Sequence, residues 1–190
     1  MSMNFLEEKI LEDGKILNND ILKVDSFLNH QIDPKTIRET AKLMVSHFPN
    51  VDKILTIETS GIVIAYAVAE LLGDIPVVFA KKSKSATNDY SNVYMTEVKS
   101  FTRNFISTVT VDKRFIKENE NILIVDDFLA EGNAAIGLID LIKQGNANVV
   151  GVTAAIEKYF QGGHEKIEKM GIPVYCPASI KEFKDNKPIF

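Results

Sequence analysis

Four short apolar runs mark the chain, at residues 54–57 (Ile-Leu-Thr-Ile), 76–79 (Pro-Val-Val-Phe), 122–125 (Ile-Leu-Ile-Val) and 149–156 (Val-Val-Gly-Val-Thr-Ala-Ala-Ile). Most lack polar alternation, the pattern of strands covered on both faces. Between them apolar positions recur at helical spacing. Asp33-Pro34 reads as an N-cap followed by proline at the first helical position, and Ile37, Ala41, Met44, Val45 and Phe48 line one face. Residues 62–72 and 133–144 predict two further helices, ended by Gly73 and Gly145, each suited to a left-handed position after the last turn. Residues 5–12 predict a short acidic helix. The alternation predicts one α/β domain over residues 1–190, a parallel sheet with flanking helices. Such sheets bind ligands beyond the carboxyl ends of their strands. The loops after the four runs are therefore the places to look for chemistry.

Two segments break the rhythm. Residues 81–103 carry Lys81, Lys82, Lys84, Lys99 and Arg103 against Asp89 and Glu97, a net charge of +3. Within them, residues 92–98 alternate as an exposed strand does, and residues 107–111 are suited to pair with it as a hairpin. The segment reads either as a solvated surface hairpin or as a cationic flap over an anionic ligand. The second is residues 20–32. A short strand over residues 21–24 runs into Asp25-Ser26-Phe27-Leu28-Asn29-His30-Gln31, a polar stretch suited to a loop or a small hood.

Composition narrows the classes. The chain has 190 residues, 45% of them apolar, enough for one domain with a full core. Its net charge of −4 argues against a general nucleic-acid binder. The longest uncharged run, residues 144–156, has 13 residues, short of the roughly 18 a membrane helix needs. Glu7, Glu8 and Lys9 interrupt the first apolar segment, which does not fit a signal peptide, and a cytoplasmic protein is expected. One cysteine, Cys176, excludes an internal disulfide and a multi-cysteine zinc cage.

The most informative stretch is Ile122-Leu123-Ile124-Val125-Asp126-Asp127-Phe128-Leu129-Ala130-Glu131-Gly132-Asn133-Ala134. A buried strand ends in two carboxylates, and a small-residue turn then opens a helix. Unpaired amides and the helix dipole favour an anion at such a helix start. Gly132 lets the backbone approach closely. Two carboxylates would repel a phosphate unless they bind sugar hydroxyls or a phosphate-bound Mg²⁺. A ribose phosphate meets both demands; the bland alternative is a sheet-edge acid pair with Asp127 as a cap. Other phosphate motifs fail on spacing. Gly132 and Gly137 enclose four residues, but Leu138-Ile139 replaces the Lys-Ser/Thr of a P-loop, and no G-x-G-x-x-G follows a strand.

Four apolar residues, two acids and a small-residue loop opening a helix resemble the phosphoribosyl pyrophosphate (PRPP) signature of the type I phosphoribosyltransferases. The resemblance runs from about residue 20 to the C-terminal region and is closest to the bacterial xanthine-specific branch. It is carried by Leu22-Lys23-Val24-Asp25-Ser26-Phe27-Leu28-Asn29-His30-Gln31, Ile57-Glu58-Thr59-Ser60-Gly61-Ile62, Val77-Val78-Phe79-Ala80-Lys81-Lys82 and Glu157-Lys158. It implies the fold of that family, with a hairpin flap over residues 81–103 and a hood from the N- and C-terminal regions. It further implies that Ala130, Glu131, Gly132, Asn133 and Ala134 cradle the 5′-phosphate, while Asp126 and Asp127 hold the ribose hydroxyls as the catalytic acids. Thr59, Ser60 and Gly61 resemble the pyrophosphate loop, where the family often has a strained or cis peptide, and Lys81 and Lys82 would face pyrophosphate. Leu22, Asn29, Lys158 and Phe128 are implied at the purine, with Phe160 a further aromatic candidate. An amide and an ammonium are donors, suited to a ring with two carbonyls.

The implied reaction joins PRPP, carrying Mg²⁺, to xanthine, giving xanthosine 5′-monophosphate (XMP) and pyrophosphate in purine salvage. A homodimer, and partners limited to small molecules, are implied with it. The residues depart from the family at two places. Glu131-Gly132-Asn133 lacks the hydroxyl common in the phosphate loop, so backbone amides are expected to hold phosphate with Glu131 turned away. Ala130 stands near where some oxopurine-specific relatives have an aspartate, which leaves the proton acceptor unassigned. Two alternatives stay open, a guanine or hypoxanthine transferase and a non-catalytic PRPP-sensing regulator. For the latter, the acidic helix at residues 5–12 is too small and of the wrong charge to read DNA.

Overall fold

In the computed structural model, which describes residues 3–83, 90–99 and 106–190, the chain opens with α1 (Phe5–Asp13). Asn4 and Glu7 cap this helix reciprocally, and the Asn4 amide reaches the Pro177 carbonyl at 2.8 Å, tying the first helix to the C-terminal region. The hairpin of β1 (Lys15–Leu17) and β2 (Ile21–Lys23) follows, then a single π-helical turn over Asp25–Asn29. α2 (Pro34–Val45) starts where Asp33 accepts from the Lys35 amide, with proline in the first turn as expected. Then come β3 (Lys53–Ile57), α3 (Gly61–Leu71), β4 (Val77–Ser83), β5 (Val93–Lys99) and β6 (Ile106–Asp112). β7 (Asn121–Leu129), α4 (Asn133–Gln144), β8 (Asn148–Lys158), α5 (Gly163–Glu168) and β9 (Val174–Tyr175) complete the core. β10 (Ala178–Ile180) and the hairpin of β11 (Glu182–Lys184) and β12 (Lys187–Ile189) end the chain.

The predicted α/β class is what the chain adopts. The main sheet has the order β10-β8-β7-β3-β4-β6-β5, with β9 beside β8. β10, β8, β7, β3 and β4 run parallel, and β6 and β5 extend the sheet antiparallel. All five residues of β3 are buried, and Ile122 to Val125 of β7 are fully covered, so these two runs sit on strands packed on both faces, whereas the run 76–79 does not, with Phe79 42% exposed. One core lies between the sheet and α1, α2 and α3, around Phe27, Met44, Ile54 and Leu123. The other lies under α4 and α5, around Leu55, Ile124, Leu138 and Ile167. Each such side chain contributes roughly 1.5–3 kcal/mol by leaving water.

Two expectations change in detail. Gly73 takes the left-handed conformation (φ 92°), but Gly145 does not (φ −86°), and Asn146 adopts it instead (φ 54°). Space explains Gly145: a Cβ there would stand 2.5 Å from Ile116 Cγ2. The hairpin of β5 and β6 forms, pairing Val93 with Asp112 through Lys99 with Ile106. Its stem is docked on α4, where the Gln144 side chain bonds both the amide and the carbonyl of Met95 (3.3 and 2.8 Å). Residues 84–89 and 100–103 of the expected flap, with Lys84, Asp89 and Arg103, lie outside the described residues.

Candidate active site

The chain leaves β3 for β4 on one side and later returns to β7 on the other, so the sheet order reverses between β3 and β7. A crevice opens beyond the carboxyl ends at such a point. Two of the predicted loops meet there. A Cβ on Gly61 would lie 2.5 Å from Thr56 Oγ1 and 2.6 Å from Asp126 Oδ1, so only glycine lets α3 start against the acid pair. The Glu58–Thr59 peptide is cis, as the resemblance implies. Thr59 is exposed and Ser60 half-buried, and no side chain caps α3. No side chain caps α4 either; its first residue follows Gly132, held left-handed at φ 84°. Two uncapped helix starts therefore border one crevice, each offering unpaired amides and a positive dipole end to an anion.

Asp126 and Asp127 lie within β7 rather than after it, because the strand runs on through Phe128 and Leu129, which pair with Ile156 and Glu157 of β8. Asp127 is buried and its amide donates to Asp126 Oδ1 at 2.9 Å. Burial first, and then the neighbouring Asp127 charge, push the Asp126 carboxyl well above the usual carboxylate range, with Lys82 pulling in the other direction. Lys82 thus stands on the acid pair's side, and its amide donates to Glu58 Oε1 at 2.6 Å. β4 runs on through Ser83, so both lysines lie within the strand rather than after it. Successive strand side chains alternate, which puts Lys81 on the face opposite Lys82.

The loop over residues 130–132 is fastened by α5, a buttress the sequence reading missed. The Gly163 amide donates to the Ala130 carbonyl at 3.1 Å, and Lys166 Nζ donates to the Glu131 carbonyl at 3.0 Å. A Cβ on Gly163 would fall 2.6 Å from the Gly132 nitrogen. The Glu131 carboxylate accepts from the Asn133 side chain at 3.0 Å, which occupies both polar groups with each other. The Gly162-Gly163 pair is the signal that could have pointed to this contact, since paired glycines mark close backbone approach.

On the other side of β7, Lys158 ends β8 and is buried, with Nζ donating to the Asp20 carbonyl at 2.8 Å and lying 5.7 Å from the Phe183 ring. Burial pushes its pKa below the ordinary lysine value. Phe128 is half-buried and pairs in register with Ile156, two residues before Lys158. Leu22 is buried on β2. Asn29 is exposed at the end of the π-helical turn. Phe160 is 45% exposed and packs edge-on against Phe183 at 5.6 Å. The hairpin turns of β1–β2 and β11–β12 join over this region through Asn19 and Asn186, whose side chains accept each other's backbone amides at 2.6 and 3.2 Å.

A profile of the phosphoribosyl transferase domain matches residues 23–183, and the chain belongs to that family. It is 48% identical, over 99% of both chains, to a xanthine phosphoribosyltransferase of Clostridium novyi. It is 45% identical to one of Laribacter hongkongensis, over 99% of this chain and all of that one. Among solved structures, adenine phosphoribosyltransferase of Trypanosoma brucei aligns with a TM-score of 0.76 at 16% identity, covering 98% of this chain and 85% of that one. The enzyme of Rhodothermus marinus aligns at 0.74 and 17% identity, covering 92% and 98%. These structures share the fold of the type I phosphoribosyltransferases.

Proposed function

We propose that the chain transfers the 5-phosphoribosyl group of PRPP to xanthine, releasing pyrophosphate and forming XMP. The C1′–O bond to pyrophosphate breaks and a bond from a purine ring nitrogen to C1′ forms, with loss of that nitrogen's proton. The observation that carries the reading is the meeting of two uncapped helix starts with the Asp126–Asp127 pair at the reversal of sheet order. The start of α4, at Asn133 and Ala134, suits the 5′-phosphate, and the loop of Thr59, Ser60 and Gly61 suits pyrophosphate. The acid pair suits the ribose hydroxyls. Lys82 and the loop amides stabilise charge developing on the leaving group.

Mg²⁺ enters as part of the substrate. It retains waters and binds through substrate phosphates rather than a protein cage, which suits an acid pair beside two anion sites. Positioning by residues on two rigid strands supplies most of the rate enhancement.

The xanthine assignment is supported by the names of the relatives at 45–48% identity and by Lys158, a buried donor at the end of the strand beside Asp126. The reading places the enzyme in purine salvage, as a cytoplasmic homodimer, with sedimentation as the check on assembly. Product analysis with PRPP, Mg²⁺ and equal xanthine, guanine, hypoxanthine and adenine tests the activity. XMP is the expected main product. Excess guanosine or inosine monophosphate moves the assignment to another oxopurine, and no nucleotide at all overturns it.

A further inference from the structure

Glu157 is the penultimate residue of β8, 2% exposed, and faces away from Lys158, toward α5. It takes no part in the transfer as derived above. Its carboxylate lies 2.7 Å from His164 Nδ1. A carboxylate only accepts, so the imidazole proton sits on Nδ1, and Nε2 faces the exposed Glu168 at 3.5 Å. Burial, and then the nearby Glu157 charge, push the Cys176 thiol well up, which keeps it protonated.

The pair sits at one particular joint. His164 directly follows Gly163, whose amide holds the Ala130 carbonyl and whose missing side chain lets the residue 130–132 backbone lie against it. α5 has only six residues and no side-chain cap, and a helix of that length is marginal by itself. Ile167 and the His164–Glu157 bond fix it to the sheet. A buried carboxylate that lost its imidazole donor would be under-satisfied, and the first turn of α5 would be free to shift. β8 thus carries Lys158 toward the base and Glu157 toward the phosphate loop from adjacent residues.

We propose that Glu157 and His164 are positioning residues for the 5′-phosphate loop, holding α5 so that the residue 130–132 backbone is set for PRPP; the role rests on the phosphoribosyl-transfer reading. Neither touches the reacting atoms. Their loss should therefore appear in PRPP affinity rather than in turnover or base affinity. His164→Ala should raise KM for PRPP about 10-fold while leaving kcat and KM for xanthine within about twofold. His164→Asn places an amide donor near the position of Nδ1 and should restore KM to within about threefold of wild type. Glu157→Ala removes the acceptor and should behave as His164→Ala does, whereas Glu157→Gln keeps an acceptor for Nδ1–H and should stay within about threefold of wild type.

Backbone amide exchange over residues 130–135, without ligand, gives a readout independent of activity. Faster exchange is expected in His164→Ala and wild-type rates in His164→Asn. Unchanged loop exchange in His164→Ala overturns the proposal. So does an equal rise in KM for PRPP and xanthine that His164→Asn fails to relieve, since a shift confined to the phosphate loop does not weaken both substrates alike. If the wild-type chain turns over no base, the activity reading falls by itself and the exchange experiment still decides the pair.

Discussion

On the proposed reading, the phosphoribosyl side of the crevice consists of two strand–loop–helix units, β3 into α3 and β7 into α4, each continuous in sequence and rooted in a buried strand. The base side is assembled from distant pieces. The turn at Asp20, the π-helical turn ending at Asn29, the end of β8 and the C-terminal hairpin come together only in three dimensions. The first side can be rigid because its loops inherit the positions of core strands. The second depends on short hairpins tied by a few hydrogen bonds between exposed residues. Under this reading, a sugar phosphate shared across a family falls to the stiff half, and the base, which differs between relatives, to the half that is easiest to rebuild.

The contrast is tested most severely at the acid pair. Replacing Asp126 and Asp127 together by asparagine keeps shape and hydrogen bonding but removes charge, and kcat should fall by about 10³-fold or more. Stability should move in the opposite direction. The folded Asp126 carboxyl is raised above its unfolded value, so the folded state holds its proton more tightly. Its penalty on folding is absent below the ordinary carboxyl range near about pH 4 and grows as pH rises toward the raised value. Asp126→Asn escapes that penalty. Its Tm should exceed that of wild type at pH 7, and the two should converge near pH 4. A variant that loses both activity and Tm at pH 7 would make the pair structural rather than part of the site.

Lys158→Ala carries the next largest effect. Removing the ammonium strips a donor from the base and leaves the Asp20 carbonyl without it, which loosens the β1–β2 hairpin as well. A fall of about 100-fold in kcat/KM is expected for xanthine and guanine alike, with KM for PRPP nearly unchanged. A comparable rise in KM for PRPP would erase the separation between the two halves.

The same separation explains what could be read in advance. The run Ile122 to Val125, the acids after it and the helix opened by Gly132 are neighbours in sequence, so strand, site and helix were visible together. The roles of Leu22, Asn29 and Lys158 came only through resemblance, because no local pattern says that a lysine after one strand meets a turn more than a hundred residues earlier. The buttress of Gly163, His164 and Glu157 was missed for the same reason. Its residues lie on two elements, and the paired glycines were its only trace. Lys81 and Lys82 show a smaller failure: the strand runs four residues past its apolar run because Lys81 to Ser83 pair with β6, and alternation then separates the two side chains.

Asn29→Ala refines the base side. Xanthine and guanine share a 6-carbonyl, but at position 2 xanthine has a carbonyl where guanine has an amino group. If the Asn29 amide donates to that carbonyl, its loss should lower kcat/KM for xanthine by about 5- to 150-fold and for guanine by much less. Equal losses would move the discrimination to main-chain groups near Phe160. Thermal stability should stay at the wild-type value, since Asn29 is exposed and a surface change away from caps and packing costs little.

The smallest effect belongs to the clasp between the two hairpins. Asn19 and Asn186 both have positive φ, 51° and 54°, and each side chain accepts the other's amide. Alanine at either position would strain the backbone and confuse two causes, whereas glycine keeps the left-handed conformation and removes only the side-chain acceptor. The bonds are exposed, so each contributes little to overall stability, and Asn186→Gly should shift Tm by no more than about 1–2 °C. The hood spans the base side alone, and its loosening should raise KM for xanthine by about two- to threefold without moving KM for PRPP. Combining Asn19→Gly with Asn186→Gly should add little, because either change removes one bond and frees the partner turn that the other bond held. A double variant with the product of both single effects would mean that the two hairpins are held independently, and that the base side is stiffer than its few cross-links imply.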